Sequence, residues 1–415
     1  MNPRAIPLWP GFLAGILIRY FMLWYVGVFD MGAYLEWGQK SLASGLTRYY
    51  HGTYFPIQYQ IFEICVWLAG RLRSDWVFVF KFSNFIFDIP AFFLLVILLK
   101  RQGSNAAYAL LYWLHPWFLS VFSLGYIDFQ FTYFVLLSIF FLGGDTAKDY
   151  LLASIPLGVA FLMKPQALIL IVAAFLYAIY HYARTRDLRP AGMLVGPVLI
   201  FAAYEFFFTA SLFPQIPHKA AAAVLPLSYI NITNVFPCLT GQMTNIWYPI
   251  AYLLKRPGDP IYGVSDQILV LSHLSAKSLA TVIVLAVVAF HVLRVERNIG
   301  MTVSGQFIQM FGLGTLTVPF IMTSAHENHL FLGSVFLILF LGKNYPLSFK
   351  IAAHLLLVIQ FLNIYGLYGE HPVRIAQLLR STYSERLAVA YSIIGVVSFV
   401  LLVLPLLEYR VKPDA

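Results

Sequence analysis

The chain predicts an all-α integral membrane protein, and three observations carry that prediction. Of 415 residues, 60% are hydrophobic and 17% aromatic. Only 11% are charged, whereas soluble domains carry about a quarter. Apolar stretches recur along the whole length, separated by short junctions bearing lysine and arginine. At roughly 20 residues per crossing, this allows a bundle of about 12 transmembrane helices.

No long polar linker, low-complexity tract or internal repeat divides the chain, so residues 1–415 read as a single polytopic membrane domain. Cys65 and Cys238 are the only cysteines, too few for a disulfide framework or a cysteine metal site. The net charge of +9 fits membrane orientation and contact with anionic headgroups. No segment resembles a nucleic-acid module, and no nucleic-acid partner is expected.

The opening "MNPRAIPLWPGFLAGILIRYFMLWYVGVF" begins cationic and continues apolar and aromatic, with no small-x-small cleavage site before Asp30. It reads as the first span and not as a signal peptide. Spans are expected near residues 10–28, 76–99, 105–123, 129–143, 150–163, 166–182, 191–209, 275–293, 303–323, 329–342, 347–365 and 387–407. Junctions with Lys100, Arg101, Lys148, Arg184, Arg186, Arg189, Arg294, Arg297, Lys343 and Lys350, and the tail with Arg410 and Lys412, then face the cytoplasm, as do both termini. Residues 29–75, 210–274 and 366–386 are left outside.

In the first outer loop, "DMGAYLEWGQKSLAS" predicts a helix from Asp30 that carries Asp30, Tyr34 and Trp37 at i, i+4 and i+7 on one face. Asp30 is placed to cap it. The segment "IQYQIFEICVWLAG" is short for a span and contains Glu63, so it reads as a second interfacial helix. The loop 210–274 mixes aromatics, prolines and amides; a folded cap over a cavity and a reentrant or surface loop both fit. It holds the sequon Asn231-Ile232-Thr233.

Ionisable residues collect on the outer side. Asp30 ends the first span, Asp128 opens the fourth in "LGYIDFQF", Lys164 interrupts "FLMKPQALIL", and His326 and Glu327 follow the ninth in "TSAHENHLF". Such groups at a span are costly and mark candidate sites. Each also has a plain structural reading: helix capping for Asp30 and Asp128, snorkelling for Lys164. His326, Glu327 and His329 lack a further well-spaced ligand, so no metal and no other cofactor is expected. Asp88 and Glu205, inside spans, call for polar partners in the bundle, with Arg19 a candidate.

Taken in order, these segments resemble the GT-C superfamily of polytopic glycosyltransferases, which take a sugar from a polyprenyl-phosphate carrier. Asp30 stands where those enzymes carry an acid just after the first span. "YFPIQYQIF" resembles their tyrosine-proline-proline stretch, with Phe55 in place of the first proline. "LGYIDFQF" is similar to a glycine-glutamine-x-aspartate segment, with Tyr126 replacing the glutamine and Asp128 kept. Lys164, Pro165 and Gln166 match a lysine-proline-glutamine segment, Asn245 and Trp247 an asparagine-x-tryptophan element. "AHENHLF" is similar to the histidine-glutamate motif of bacterial mannosyltransferase-like members.

The resemblance implies a GT-C-type bundle whose outer loops 29–75 and 210–274 form the active-site face; few eukaryotic cues are present, so a prokaryotic plasma membrane is expected. It implies transfer of a hexose, mannose or glucose, from a polyprenyl-phosphate donor to a hydroxyl of a glycan, lipid-linked or protein acceptor. Asp30 would act as general base in an inverting displacement. Lys164 and His326 would bind the donor phosphate. Glu327, Asp128 and Gln166 would bind substrate, as would an aromatic platform of Tyr34, Trp37 and Tyr54, unless these belong to the interface belt. The alternative is a membrane transporter or a lipid or glycolipid flippase. Against it stand the lack of a repeat and the placement of the charges at one face. A membrane O-acyltransferase would need a buried histidine base, for which His115 and His354 are the candidates; packing explains both.

Overall fold

The computed structural model describes residues 8–25, 27, 30–45, 54–212, 237–298, 300–368 and 384–408. The sequon, Arg410, Lys412 and most of the loop 366–386 lie outside the described residues. The described chain is mainly helical, with a small two-stranded antiparallel ribbon, β1 (Leu269–Leu271) paired with β2 (Leu274–Ser275).

Five helical segments are long and apolar enough to cross a membrane: α4 (Trp76–Arg101), α9 (Leu168–Thr185) with the 3-10 turn before it, α12 (Ala276–Glu296), α15 (Leu347–Tyr368) and α16 (Glu385–Glu408). A sixth arises if α5 (Ala109–Leu114), with the 3-10 turn from Ala106 before it, and α6 (Pro116–Leu124) count as one span bent by 46°. Pro116 offers no N–H and pushes His115 to an extended conformation (φ −67°, ψ 134°), which breaks the helix there.

Among the described residues, five or six helices meet the length and composition of a crossing, and the expected count of twelve is not supported. Some apolar runs are too short for a core of about 30 Å: α1 (Leu8–Met22) has 15 residues, α7 (Asp128–Phe141) 14 and α14 (Phe331–Leu341) 11. Every residue of α14 is buried. In α13 (Val303–Ile321) nearly every residue is buried, Gln306, Gln309 and Thr315 included. The helices α13 and α14 are hydrophobic because they pack inside protein, and composition alone does not separate that environment from lipid.

The chain divides into two compact units. One comprises Phe12–Leu95 and Phe122–Val235, the other Met1–Gly11, Val96–Val121 and Phe236–Ala415.

In the first unit, α2 (Asp30–Ser44) begins at the expected aspartate and packs along α3 (Pro56–Leu72). A Cβ on Gly38 would sit 2.7 Å from the Phe62 carbonyl oxygen, so only glycine allows this approach. Tyr34 stacks on Phe62 at 4.6 Å. The segment expected as a second loop helix is α3, started by Pro56 in the first turn and closed by Arg73 in the left-handed region. The unit continues through α7, α8 (Ala147–Phe161), α9 and α10 (Val195–Leu212).

In the second unit, α11 (Trp247–Leu254) is fixed to the end of α13. Asn245 Nδ2 donates to the carbonyls of Pro319 and Met322 at 3.1 and 3.2 Å, and Trp247 Nε1 to that of Ile321 at 2.6 Å. These are last-turn carbonyls that the helix itself leaves unmatched. The asparagine-x-tryptophan element thus caps a helix from outside.

Candidate functional site

Two glycine turns organise the first unit. Gly27 and Gly125 take φ of +90° and +82°, where a side chain would be strained. Each lies three residues before an acid that opens a helix, Asp30 of α2 and Asp128 of α7. The turns touch. A Cβ on Gly27 would fall 2.9 Å from the Leu124 carbonyl oxygen, and one on Gly125 would fall 2.5 Å from Met31 Sδ. Gly27 and Met31 lie against Leu124 and Gly125, which brings the starts of α2 and α7 together.

Asp128 lies in the first turn of α7, where the exposed N–H groups favour an anion. Its Oδ1 is 2.6 Å from Lys164 Nζ, with both side chains buried. The N-cap position belongs to Ile127 and makes no side-chain cap bond, so Asp128 serves the ion pair. Pro165 holds Lys164 extended (φ −140°, ψ 130°) just after α8 ends, which projects the ammonium to α7. The Lys164 segment also meets the start of α3. Ile57 N–H donates to the Leu162 carbonyl at 3.2 Å, and the Phe55 ring lies 5.5 Å from that of Phe161.

Tyr34, one turn beyond Asp30, is buried, with its hydroxyl 3.3 Å from that of Tyr54. Burial pushes its phenol well above the ordinary tyrosine range, and Tyr54, Asp30 and Asp128 push the same way. Trp37 stacks on Tyr59 at 5.3 Å and meets Tyr54 at 6.0 Å. The first unit therefore gathers Asp30, Tyr34, Trp37, Tyr54, Asp128 and Lys164. Gln166 sits partly buried in the 3-10 turn after Lys164.

Behind these groups lies a polar line along α4, of which the sequence singles out Asp88 alone. Lys81, Asn84 and Asp88, at i, i+3 and i+7, are fully buried. Asp88 pairs with Arg19, the candidate named for it from sequence. Gln130 Nε2 donates to Asn84 Oδ1 at 2.9 Å and Ser83 Oγ at 3.1 Å, and Gln58 donates to Gln130 at 3.3 Å. Lysine inside a run of aromatics is the signal that points to Lys81.

His326 and Glu327 belong to the second unit. Glu327 is buried and accepts a hydrogen bond from the Tyr368 hydroxyl, while His326 is partly exposed with Nδ1 4.0 Å from Glu327 Oε2. The His326 ring rests on the backbone of Gly241, where a Cβ would come within 3.0 Å of the imidazole. Its backbone N–H donates to His329 Nδ1 at 3.2 Å. Tyr368 carries no motif that would mark it in the sequence, and only the fold brings it to Glu327. Among the described residues, no group of three or more histidine, cysteine or acidic side chains is arranged to hold a metal. His115 Nδ1 accepts from the Trp117 N–H and His354 bonds the Lys350 carbonyl, both local helix contacts.

Compared with protein-family models and with curated proteins, the chain matches none.

Proposed function

We propose that the chain is a GT-C-type glycosyltransferase that moves a hexose from a polyprenyl-phosphate donor to an acceptor hydroxyl on the extracytoplasmic face of a membrane. The observation that supports this most is the pairing of the two glycine turns, which sets Asp30 and the Asp128–Lys164 pair at adjacent helix starts. In the proposed step the acceptor oxygen attacks the anomeric carbon as the bond from that carbon to the phosphate oxygen breaks. Asp30 takes the hydroxyl proton and the lipid phosphate leaves with the bonding electrons. The configuration inverts, and no covalent intermediate forms.

The leaving phosphate needs a counter-charge. The Lys164 ammonium is already balanced by Asp128, so it serves the phosphate only by exchanging one anion for another. In this reading Tyr34 and Tyr54 line the acceptor side.

Mass spectrometry of polyprenyl-linked sugars and surface glycans tests the proposal in cells carrying the native protein, a deletion or Asp30→Asn. The expected result is build-up of one polyprenyl-phosphate sugar and loss of one glycan residue in both altered strains. Unchanged glycans and lipid-linked sugars in both would overturn it.

A second reading, a transporter or flippase, draws on the buried polar line of Lys81, Asn84 and Asp88 within α4. Substrate accumulation without any covalent product would favour it.

A further inference from the structure

Lys81 is fully buried in α4, and its ammonium bonds backbone carbonyls. Nζ donates to Met22 O at 3.3 Å, and also to the carbonyls of Tyr25 and Ser123, with the Tyr25 ring 5.1 Å away. An ammonium has three N–H groups, and here three oxygens receive them. Met22 ends α1, Tyr25 lies just beyond it, and Ser123 is in the last turn of α6. Helix C-termini present carbonyl dipoles that favour a cation, so one charge answers two helix ends at once.

Both helix ends lead straight into the glycine turns. From Met22 and Tyr25 the chain runs through Gly27 to Asp30, and from Ser123 through Gly125 to Asp128. One turn along α4, Asn84 Nδ2 donates to the Tyr126 carbonyl at 3.0 Å, inside the second of these turns. A cation kept out of water without a carboxylate is costly, and an apolar side chain of similar length fills the same space. We infer that Lys81 is a positioning residue: by holding both glycine turns to one face of α4, it sets Asp30 against the Asp128–Lys164 pair. This rests on the proposed transferase reading for its effect on rate, whereas the tie between the turns stands apart from any reaction.

Two measurements on the full-length protein test it. Native membranes are supplied with polyprenyl-phosphate mannose or polyprenyl-phosphate glucose, and amide exchange is followed on the purified protein in detergent. Lys81→Met keeps the bulk and removes the donors. It is expected to lower kcat about a hundredfold, the scale of a 1 Å misplacement, at unchanged donor KM. Amide exchange in residues 22–27 and 123–128 is expected to speed up while that of α13 and α14 stays slow. Lys81→Arg, which still offers a cation to the carbonyls, is expected to restore the protection and part of the rate.

A Lys81→Met protein that turns over within about threefold of native, or that loses rate with exchange unchanged in both turns, overturns the inference. Should Lys81→Met fail to accumulate, Lys81→Gln is read by the same two measurements against the same outcomes. If the native protein transfers neither sugar, the transferase reading falls, and faster exchange confined to the two turns still decides the positioning role.

Discussion

Lys164 Nζ lies 2.6 Å from Asp128 Oδ1, and both side chains are shut away from solvent. Each charge depends on the other. Removing one partner leaves an uncompensated buried ion, at a cost of about 3–5 kcal/mol, whereas replacing both with apolar side chains of similar volume is often close to neutral. Lys164→Met is therefore expected to lower the unfolding temperature in detergent sharply, and Asp128→Leu added to it to recover most of the loss. Equal destabilisation by the single and double variants would mean that the pair is not what the cluster depends on. If Lys164 also serves the donor phosphate, the recovered double variant regains stability but not donor affinity.

Asp30→Asn separates chemistry from folding. Asparagine opens a helix as well as aspartate does, so expression and thermal stability are expected to stay near native. It cannot act as the base, a role worth about 10²–10⁴-fold in rate. Turnover with a polyprenyl-phosphate hexose is expected to fall by that range; retention of most activity would reduce Asp30 to a helix-starting residue.

Local sequence logic reads residues 30–72 well. A helix from Asp30 and a second helix over "IQYQIFEICVWLAG" are legible, because each follows from residue type and short-range periodicity, whereas the sequence marks Arg19 only as a candidate for Asp88, 69 residues away. The number of spans is not legible. The helix α14 is as apolar as any membrane crossing, yet it has 11 residues, all inside protein. Nor is the Asp128–Lys164 pair legible, since it joins the first turn of α7 to the chain leaving α8, 36 residues apart. The Gly-x-x-Asp repeat at Gly27 and Gly125 is in plain view, but its meaning depends on the two turns touching in three dimensions.

The approach of α2 to α3 depends on Gly38, which faces the Phe62 carbonyl too closely for any side chain. Gly38→Val is expected to push the helices apart and to disturb the contacts of Tyr34 with Phe62 and Tyr54 on the same face. Overpacking of this kind costs about 1–3 kcal/mol. A drop in unfolding temperature together with loss of transfer is the expected result. A Gly38→Val protein with native stability would show that the two helices accommodate the extra carbons.

Tyr34 gives the loop a dependence on alkaline pH whose direction is set by its surroundings. Burial, then Tyr54 and the carboxylates of Asp30 and Asp128, raise its folded pKa well above the ordinary value, which is about 10. Below that pH the folded and unfolded chains both hold the phenolic proton, and the contribution to stability is fully present. Above it the unfolded chain releases the proton while the folded chain keeps it, so the unfolded state binds fewer protons and stability declines as pH rises toward the folded pKa. Tyr34→Phe removes this dependence along with the hydroxyl contact to Tyr54, which is worth about 0.5–1.5 kcal/mol. Unfolding temperatures of the two proteins are expected to differ by a constant amount at neutral pH and to converge above about pH 10, as the native protein loses ground that the variant does not. A difference that stays constant through that window would place the Tyr34 phenol in contact with water.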